Sequence, residues 1–260
     1  MKKLVLALFV ILMAASCGKD TPVNRVIAHR GFWMTEGSAQ NSLTSLRLAM
    51  DNDFYGSECD IQLTADKQFI VFHDSKLHGE YLENLTFEQI LADTTLVNGE
   101  RISTVDEYFE AFANHGGKTK LIIEVKPQVT EDMMSLCIAR TAEAIKKFGI
   151  QKRVEIISFS YRACKELAAI FPEIPVSFLD EEHTVSFAQM KADGIDGIDY
   201  EYHCILNNPS LIEEAHAIGF IVDVWTANDP DEVLTMVSNG LDYVTTNKPD
   251  VMASILEGIK

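Results

Sequence analysis

Eight short runs rich in β-formers, each followed by a segment of helical character, constrain the fold of this chain more than any other feature. The strands are expected at 26–29, 55–60, 121–125, 154–158, 175–179, 195–199, 221–225 and 243–246. Helical patterns fall near 42–52, 104–114, 131–148, 161–170, 184–191, 209–218, 230–239 and 250–258. The first has Asn41 or Ser42 as N-cap and an apolar stripe of Leu43, Leu46, Leu48 and Met50. Strand and helix alternating in this way fit an α/β chain closed as a (β/α)8 TIM barrel. An open doubly wound sheet would carry a glycine-rich phosphate loop after its first strand, and the chain has neither GxGxxG nor a Walker loop. The alternation is interrupted at about 74–102, where Leu85-Thr86-Phe87-Glu88-Gln89-Ile90 reads as a short helical turn. This stretch is too small for a core of its own and is expected to be an insertion over the barrel mouth.

The N-terminus is set apart from this pattern. Lys2 and Lys3 precede an apolar run from Leu4 to Met13, and Ala14-Ala15-Ser16 lead into Cys17. The run is short for a membrane span and has the parts of a secretory leader. Small residues before a cysteine resemble the leader of a bacterial lipoprotein, although Ala14 stands where leucine is usual. The expectation is a signal peptide at 1–16, lipidation at Cys17, a polar tether over 17–24 and one barrel domain over 25–260. The protein would then be exported and anchored to a membrane, in the periplasm or at the cell surface.

With 22 basic and 39 acidic side chains the formal charge is −17, and −19 once Lys2 and Lys3 leave with the leader. Such acidity repels nucleic acid and anionic lipid headgroups. Membrane contact is therefore expected through the lipid anchor only, and an anionic substrate would need a local positive site. Cys59, Cys137, Cys164 and Cys204 form no CxxC pair and no zinc spacing, so free buried thiols are expected.

In a (β/α)8 barrel the chemistry lies at the C-terminal ends of the strands. Here those ends carry His29 and Arg30, Glu58 and Asp60, Glu124 and Lys126, Ser158, Glu201 and His203, Trp225, and Thr246. Alternation along a strand turns Glu58 and Asp60 to one face, and likewise Glu124 and Lys126. The second strand is followed by Ala65-Asp66-Lys67, a turn between two β-rich runs. Folding the chain midway between Ala65 and Asp66 would set His73 opposite Glu58. Two hard-cation ligands and a proton-transfer group would then share one hairpin. A structural ion pair of Glu124 with Lys126, and an ordinary amphipathic hairpin, are the plainer accounts. Trp33 and Phe32 could line the mouth or simply pack, and His78, His115, His183 and His216 are expected to be surface or packing residues.

Four segments in order, IAHRG, GSECDIQLTADKQFIVFHD, LIIEVKP and VDVWTANDPDEVLTMVSNGLDYVTTNKPD, resemble signatures of the glycerophosphodiester phosphodiesterase family across most of residues 25–250. The resemblance implies a barrel, one divalent cation and two catalytic histidines. Matched position by position, His29 and His73 would be the acid/base pair, and Glu58, Asp60 and Glu124 the metal ligands. Arg30 and Lys126 would contact phosphate, and Trp225 would wall the substrate cavity. Apart from the resemblance, Glu201 and His203 are expected at the cavity rim because they lie at a strand end. Three carboxylates suit Mg²⁺ or Ca²⁺ better than zinc. Gln40, within Ala39-Gln40-Asn41-Ser42, replaces the family's usual Glu, and Asn247, within Thr246-Asn247-Lys248-Pro249, replaces its usual Asp.

The reaction implied is hydrolysis of a small glycerophosphodiester to glycerol 3-phosphate and an alcohol. A phospholipase D-like or phosphatidylinositol-cleaving activity, and a non-catalytic ligand-binding lipoprotein, are the alternatives.

Overall fold

A computed structural model describes residues 24–257. The expected leader, the lipidated Cys17 and the tether as far as residue 23 lie outside the described residues. Asn24, at the end of that tether, is held by a hydrogen bond from its amide to the Asp53 carbonyl, 2.9 Å. No described helix is long and apolar enough to cross a membrane.

Alternation along the strands sorts the side chains into two layers. In Gly56–Leu63, Cys59, Ile61 and Leu63 pack outward into the main apolar core. Glu58 and Asp60, between them, face the opposite way. The eight barrel strands are β1 Val26–Ala28, β2 Gly56–Leu63, β3 Lys120–Val125, β4 Val154–Ser158, β5 Val176–Asp180, β6 Gly197–Glu201, β7 Ile221–Trp225 and β8 Tyr243–Thr246. Each is parallel to the next, and β8 pairs with β1, Val26 beside Val244, so the sheet closes. A small inner cluster of Ile27, Ile122, Ile157 and Leu179 fills the barrel axis. Tyr55 stacks on Tyr243 with ring centroids 3.9 Å apart, and the Tyr55 hydroxyl donates to Glu155 at 2.6 Å. These residues sit at the N-terminal side of the axis, which leaves the C-terminal end as the open mouth.

Helices lie between the strands where the apolar periodicity puts them, and two departures have local causes. The helix expected at 184–191 begins later, as Phe187–Ala192. The Asp180 carboxylate accepts from the main-chain N–H groups of Glu181, Glu182 and Thr184 at 2.9, 3.3 and 2.8 Å, holding those residues in a turn. A helix not expected, Tyr202–Asn207, follows β6 directly and is capped by Glu201.

The hairpin register differs from the expected one. Thr64 N–H donates to Gln68 O, Lys67 N–H donates to Thr64 O, and Lys67 is left-handed with φ 62°. The loop therefore has three residues, a turn with one added left-handed position, rather than two. Pairing becomes Leu63 with Phe69, Gln62 with Ile70 and Ile61 with Val71, one place off the estimate. A one-residue slip reverses faces, so His73 does not sit opposite Glu58 in a ladder. It lies beyond the return strand Phe69–Val71, on a segment gripped by Gln62. The Gln62 amide donates to the carbonyls of Phe72 at 2.6 Å and Asp74 at 3.1 Å, and Phe72 N–H donates to Asp60 O at 3.0 Å.

Residues after His73 form the irregular stretch that the sequence marks at about 74–102. Lys76–Leu77 pairs with Glu80–Tyr81, and a helix follows at Phe87–Asp93, opened by a capping box of Thr86 and Gln89. Ile70, Leu82, Ile90 and Ile102 give this stretch a satellite cluster joined to the return strand. Val71 N–H donates to Ser103 O at 2.9 Å, which ties the exit of the insertion back to the hairpin.

Candidate active site

The site begins where β1 ends in a tight turn. Arg30 and Gly31 are both left-handed, φ 55° and 76°. At Gly31 a Cβ would lie 2.7 Å from the Ser45 carbonyl carbon, so only glycine fits. Gly31→Ala is expected to cost about 2–5 kcal/mol, from left-handed strain and overpacking together. Urea unfolding would measure it.

That turn aims the Arg30 N–H at Glu58 Oε2, 2.7 Å away. Glu58, Asp60 and Glu124 each offer an oxygen within 4.8 Å of the others, and they are 2%, 1% and 8% exposed. Lys126 Nζ lies 2.9 Å from Glu124 Oε1 and 3.4 Å from Asp60 Oδ1. Asp60 also receives the Asn41 amide at 2.8 Å and has Arg30 Nε at 3.8 Å.

The three carboxyls are not equivalent. Burial, then the charges of Asp60 and Glu124, push Glu58 well above the usual carboxylate range. Burial and Asp60 raise Glu124 to about 8 against the pull of Lys126. Burial also acts to raise Asp60, but Lys126, His73, Arg30 and the Asn41 amide outweigh it and hold Asp60 low. Glu58 Oε1 is buried without a partner. Three acidic groups this close, two raised by burial and by one another's charge and one with an orphaned oxygen, fit a hard cation well: it would supply the charge they lack.

His29 and His73 border the same small cavity as Glu58, Glu124 and Lys126. His29 Nδ1 is 2.8 Å from Asn247 Oδ1, and Trp33 Nε1 is 3.1 Å from that oxygen. Indole N–H only donates. It therefore fixes the oxygen of the Asn247 amide toward both rings, so His29 Nδ1 must carry its proton and Nε2 must be the acceptor. Burial and the Arg30 charge hold the His29 pKa down to about 4, against opposing pulls from Asn247 and Asp60. The second imidazole is oriented differently. His73 Nδ1 is 2.8 Å from Asp74 Oδ1, and the side chain is more open to solvent. Burial lowers the His73 pKa, with Asp60 and Asp74 opposing and Lys126 and Arg30 assisting.

Not every expected residue joins this group. Trp225 does: it walls the cavity, edge-on to Phe159 with ring centroids 5.3 Å apart. Glu201 and His203 do not. Glu201 accepts from His203 N–H at 2.9 Å and lies 2.8 Å from His203 Nδ1, and the pair lines a neighbouring cleft with Glu181 and Glu182. The cause is the helix that starts at Tyr202, which turns both side chains away from the axis. Ser158 is a structural hydroxyl, donating to Val125 O at 2.6 Å. Conversely, the sequence offers Asn41 only as an alternative N-cap, a place that Ser42 takes, and assigns nothing to Asp199, another buried carboxyl of this cavity. Gln40, which accepts from Arg30 at 2.5 Å, and Asn247 were singled out only as departures from a pattern.

The profile of the glycerophosphoryl diester phosphodiesterase family matches residues 29–251, nearly the whole barrel. The chain belongs to this family. A glycerophosphodiester phosphodiesterase of Caldanaerobacter subterraneus subsp. tengcongensis is 26% identical over 251 residues, covering 89% of this chain and 97% of its own. The crystal structure of a glycerophosphodiester phosphodiesterase from Parabacteroides distasonis superposes with TM-score 0.85 at 35% identity, covering 90% of this chain and 97% of that one. A phosphodiesterase of Oleispira antarctica, solved with its product sn-glycerol 3-phosphate, shares the fold at TM-score 0.78 and 24% identity, covering 90% of this chain and 96% of that one. Family membership makes the chain a phosphoric diester hydrolase on a (β/α)8 barrel.

Proposed function

We propose that this enzyme hydrolyses small glycerophosphodiesters to glycerol 3-phosphate and an alcohol, with His29 as the base and His73 as the acid of the first step. The observation that carries the reading is a cluster of three buried carboxyls, Glu58, Asp60 and Glu124, of which Glu58 and Glu124 border one cavity together with Lys126 and two imidazoles. Glu58, Asp60 and Glu124 would hold one cation, Mg²⁺ or Ca²⁺, whose chemistry is neutralisation of phosphate charge. Lys126 and Arg30 add positive charge beside them, which an enzyme of net charge −17 needs in order to admit an anion.

Phosphodiesters resist attack because the phosphorus is shielded by charge and the leaving alkoxide is poor. His29 Nε2, unprotonated, would take the proton of the glycerol 2-hydroxyl as that oxygen attacks phosphorus. The bond to the other alcohol then breaks. His73, whose Nδ1 faces Asp74, is the imidazole better supported as a cation and gives the departing oxygen a proton from Nε2. Water opens the resulting five-membered cyclic phosphate with the two roles exchanged. No net proton is gained or lost by the pair over the cycle.

Asn247 sets the working range of His29. A carboxylate in its place would stabilise the imidazolium and raise the His29 pKa. A base must be unprotonated, so in Asn247→Asp the acid limb of kcat/KM is expected to move to higher pH. Rate profiles between pH 4.5 and 8 would show it.

The reading as a whole is tested by incubating the enzyme with glycerophosphocholine and Mg²⁺ or Ca²⁺ and assaying glycerol 3-phosphate. Release of that product supports it. Cleavage confined to lysophospholipid or phosphatidylinositol would replace it with a lipid-cleaving activity, and binding without turnover would indicate a retired site. Attachment to a membrane through Cys17 is part of the proposal and rests on the leader sequence alone.

A further inference from the structure

Two acids stand side by side in the barrel wall, Asp199 on β6 and Asp223 on β7, paired in register. Both are buried, yet only one is satisfied. The Asp223 carboxylate accepts from Val224 N–H at 2.7 Å and from the Thr245 hydroxyl at 3.2 Å. Asp199 is 1% exposed, and neither of its carboxyl oxygens has a partner. An unpartnered buried carboxyl is costly and points to a missing ligand.

Asp199, and not Asp223, borders the cavity of about 100 Å³ that also contains His29. Glu58, His73, Glu124 and Lys126 border the same cavity, and Ile157, Phe159, Leu179 and Trp225 supply the apolar part of its wall. Trp225 is fixed as a wall by its indole N–H, which donates to the Asp199 main-chain carbonyl at 3.0 Å. A small cavity that joins the phosphate-side charges to an apolar wall and an unpartnered buried carboxyl suits a short carbon chain that carries a hydroxyl away from the phosphate. Burial, then the charges of Asp223, Glu58 and Glu124, push Asp199 well above the usual carboxylate range. A neutral carboxyl can both donate to a hydroxyl and accept from it.

We propose that Asp199 is a specificity residue that hydrogen-bonds the terminal hydroxyl of the glycerol arm, the one that is neither esterified nor attacking. The assignment rests on the phosphodiesterase reading above. It makes the enzyme selective for diesters of a triol, because a substrate lacking that hydroxyl would leave the buried carboxyl unpaired.

The test compares two diesters that both keep the attacking 2-hydroxyl: glycerophosphocholine and its analogue built on propane-1,2-diol, which lacks only the terminal hydroxyl. The wild-type enzyme is expected to prefer the glycerol diester by at least about 100-fold in kcat/KM. In Asp199→Leu that preference is expected to fall below about 10-fold, whereas Asp199→Asn, which keeps hydrogen-bonding capacity, should retain most of it. Equal turnover of the two diesters by wild type, or an undiminished preference in Asp199→Leu, would overturn the assignment while leaving the phosphodiesterase reading standing. Wild-type enzyme that hydrolysed neither diester would overturn both.

Discussion

Replacing His29 by glutamine is expected to lower kcat by at least about 100-fold, the usual worth of a positioned proton-transfer group, while the protein stays folded. Glutamine can still donate an amide N–H toward Asn247 Oδ1, where His29 Nδ1 now lies at 2.8 Å. It cannot accept and then return a proton at the pH of the reaction. The loss should therefore appear in kcat, with melting temperature and circular dichroism close to wild type. His73→Gln should show a comparable loss. Replacing either imidazole while keeping near-normal turnover would remove the two-histidine mechanism.

Withdrawing divalent cations is expected to reduce the rate by about 1,000-fold or more, since several kcal/mol of charge stabilisation at the phosphate would be lost. It should also change stability, and the sign is informative. Glu58 and Glu124 are buried beside Asp60 and are pushed above the carboxylate range despite Lys126 and Arg30, so ionising all three with no further cation opposes folding. A cation at 100 times its Kd should stabilise the wild type by about 2.7 kcal/mol. In Glu58→Gln one of the mutually repelling groups is neutral. The cation-free variant should then melt above the cation-free wild type, and should gain much less on adding Mg²⁺ or Ca²⁺. Thermal unfolding in chelator and in titrated cation measures both. A wild-type melting temperature indifferent to divalent cations would mean that these carboxyls hold none.

Much of this structure is legible in the sequence because two periods dominate it. Alternation in Leu121-Ile122-Ile123-Glu124-Val125 sends Ile123 outward and Glu124 inward, and the observed layers follow it. Capping residues such as Thr130 and Ser160 start helices at the expected places. What was missed depends on single backbone conformations or on long-range approach. The left-handed Lys67 shifts the hairpin by one residue. His73 still reaches the cavity, but through Gln62, a polar residue whose two hydrogen bonds leave no mark in spacing or composition. A strand end puts Glu201 and His203 at the cavity rim, but the short helix they begin sends them into a neighbouring cleft. Asn247 and Trp33, 214 residues apart, meet at one oxygen. Sequence could flag Asn247 as a departure but could not show which atoms it would face.

The most direct test is a crystal of the full barrel grown with Mn²⁺, for its anomalous signal, and glycerol 3-phosphate. An anomalous peak ringed by oxygens of Glu58, Asp60 and Glu124, with the phosphate between His29 and His73 and near Lys126, is the expected result. A metal peak elsewhere, or a phosphate bound away from both imidazoles, would contradict it.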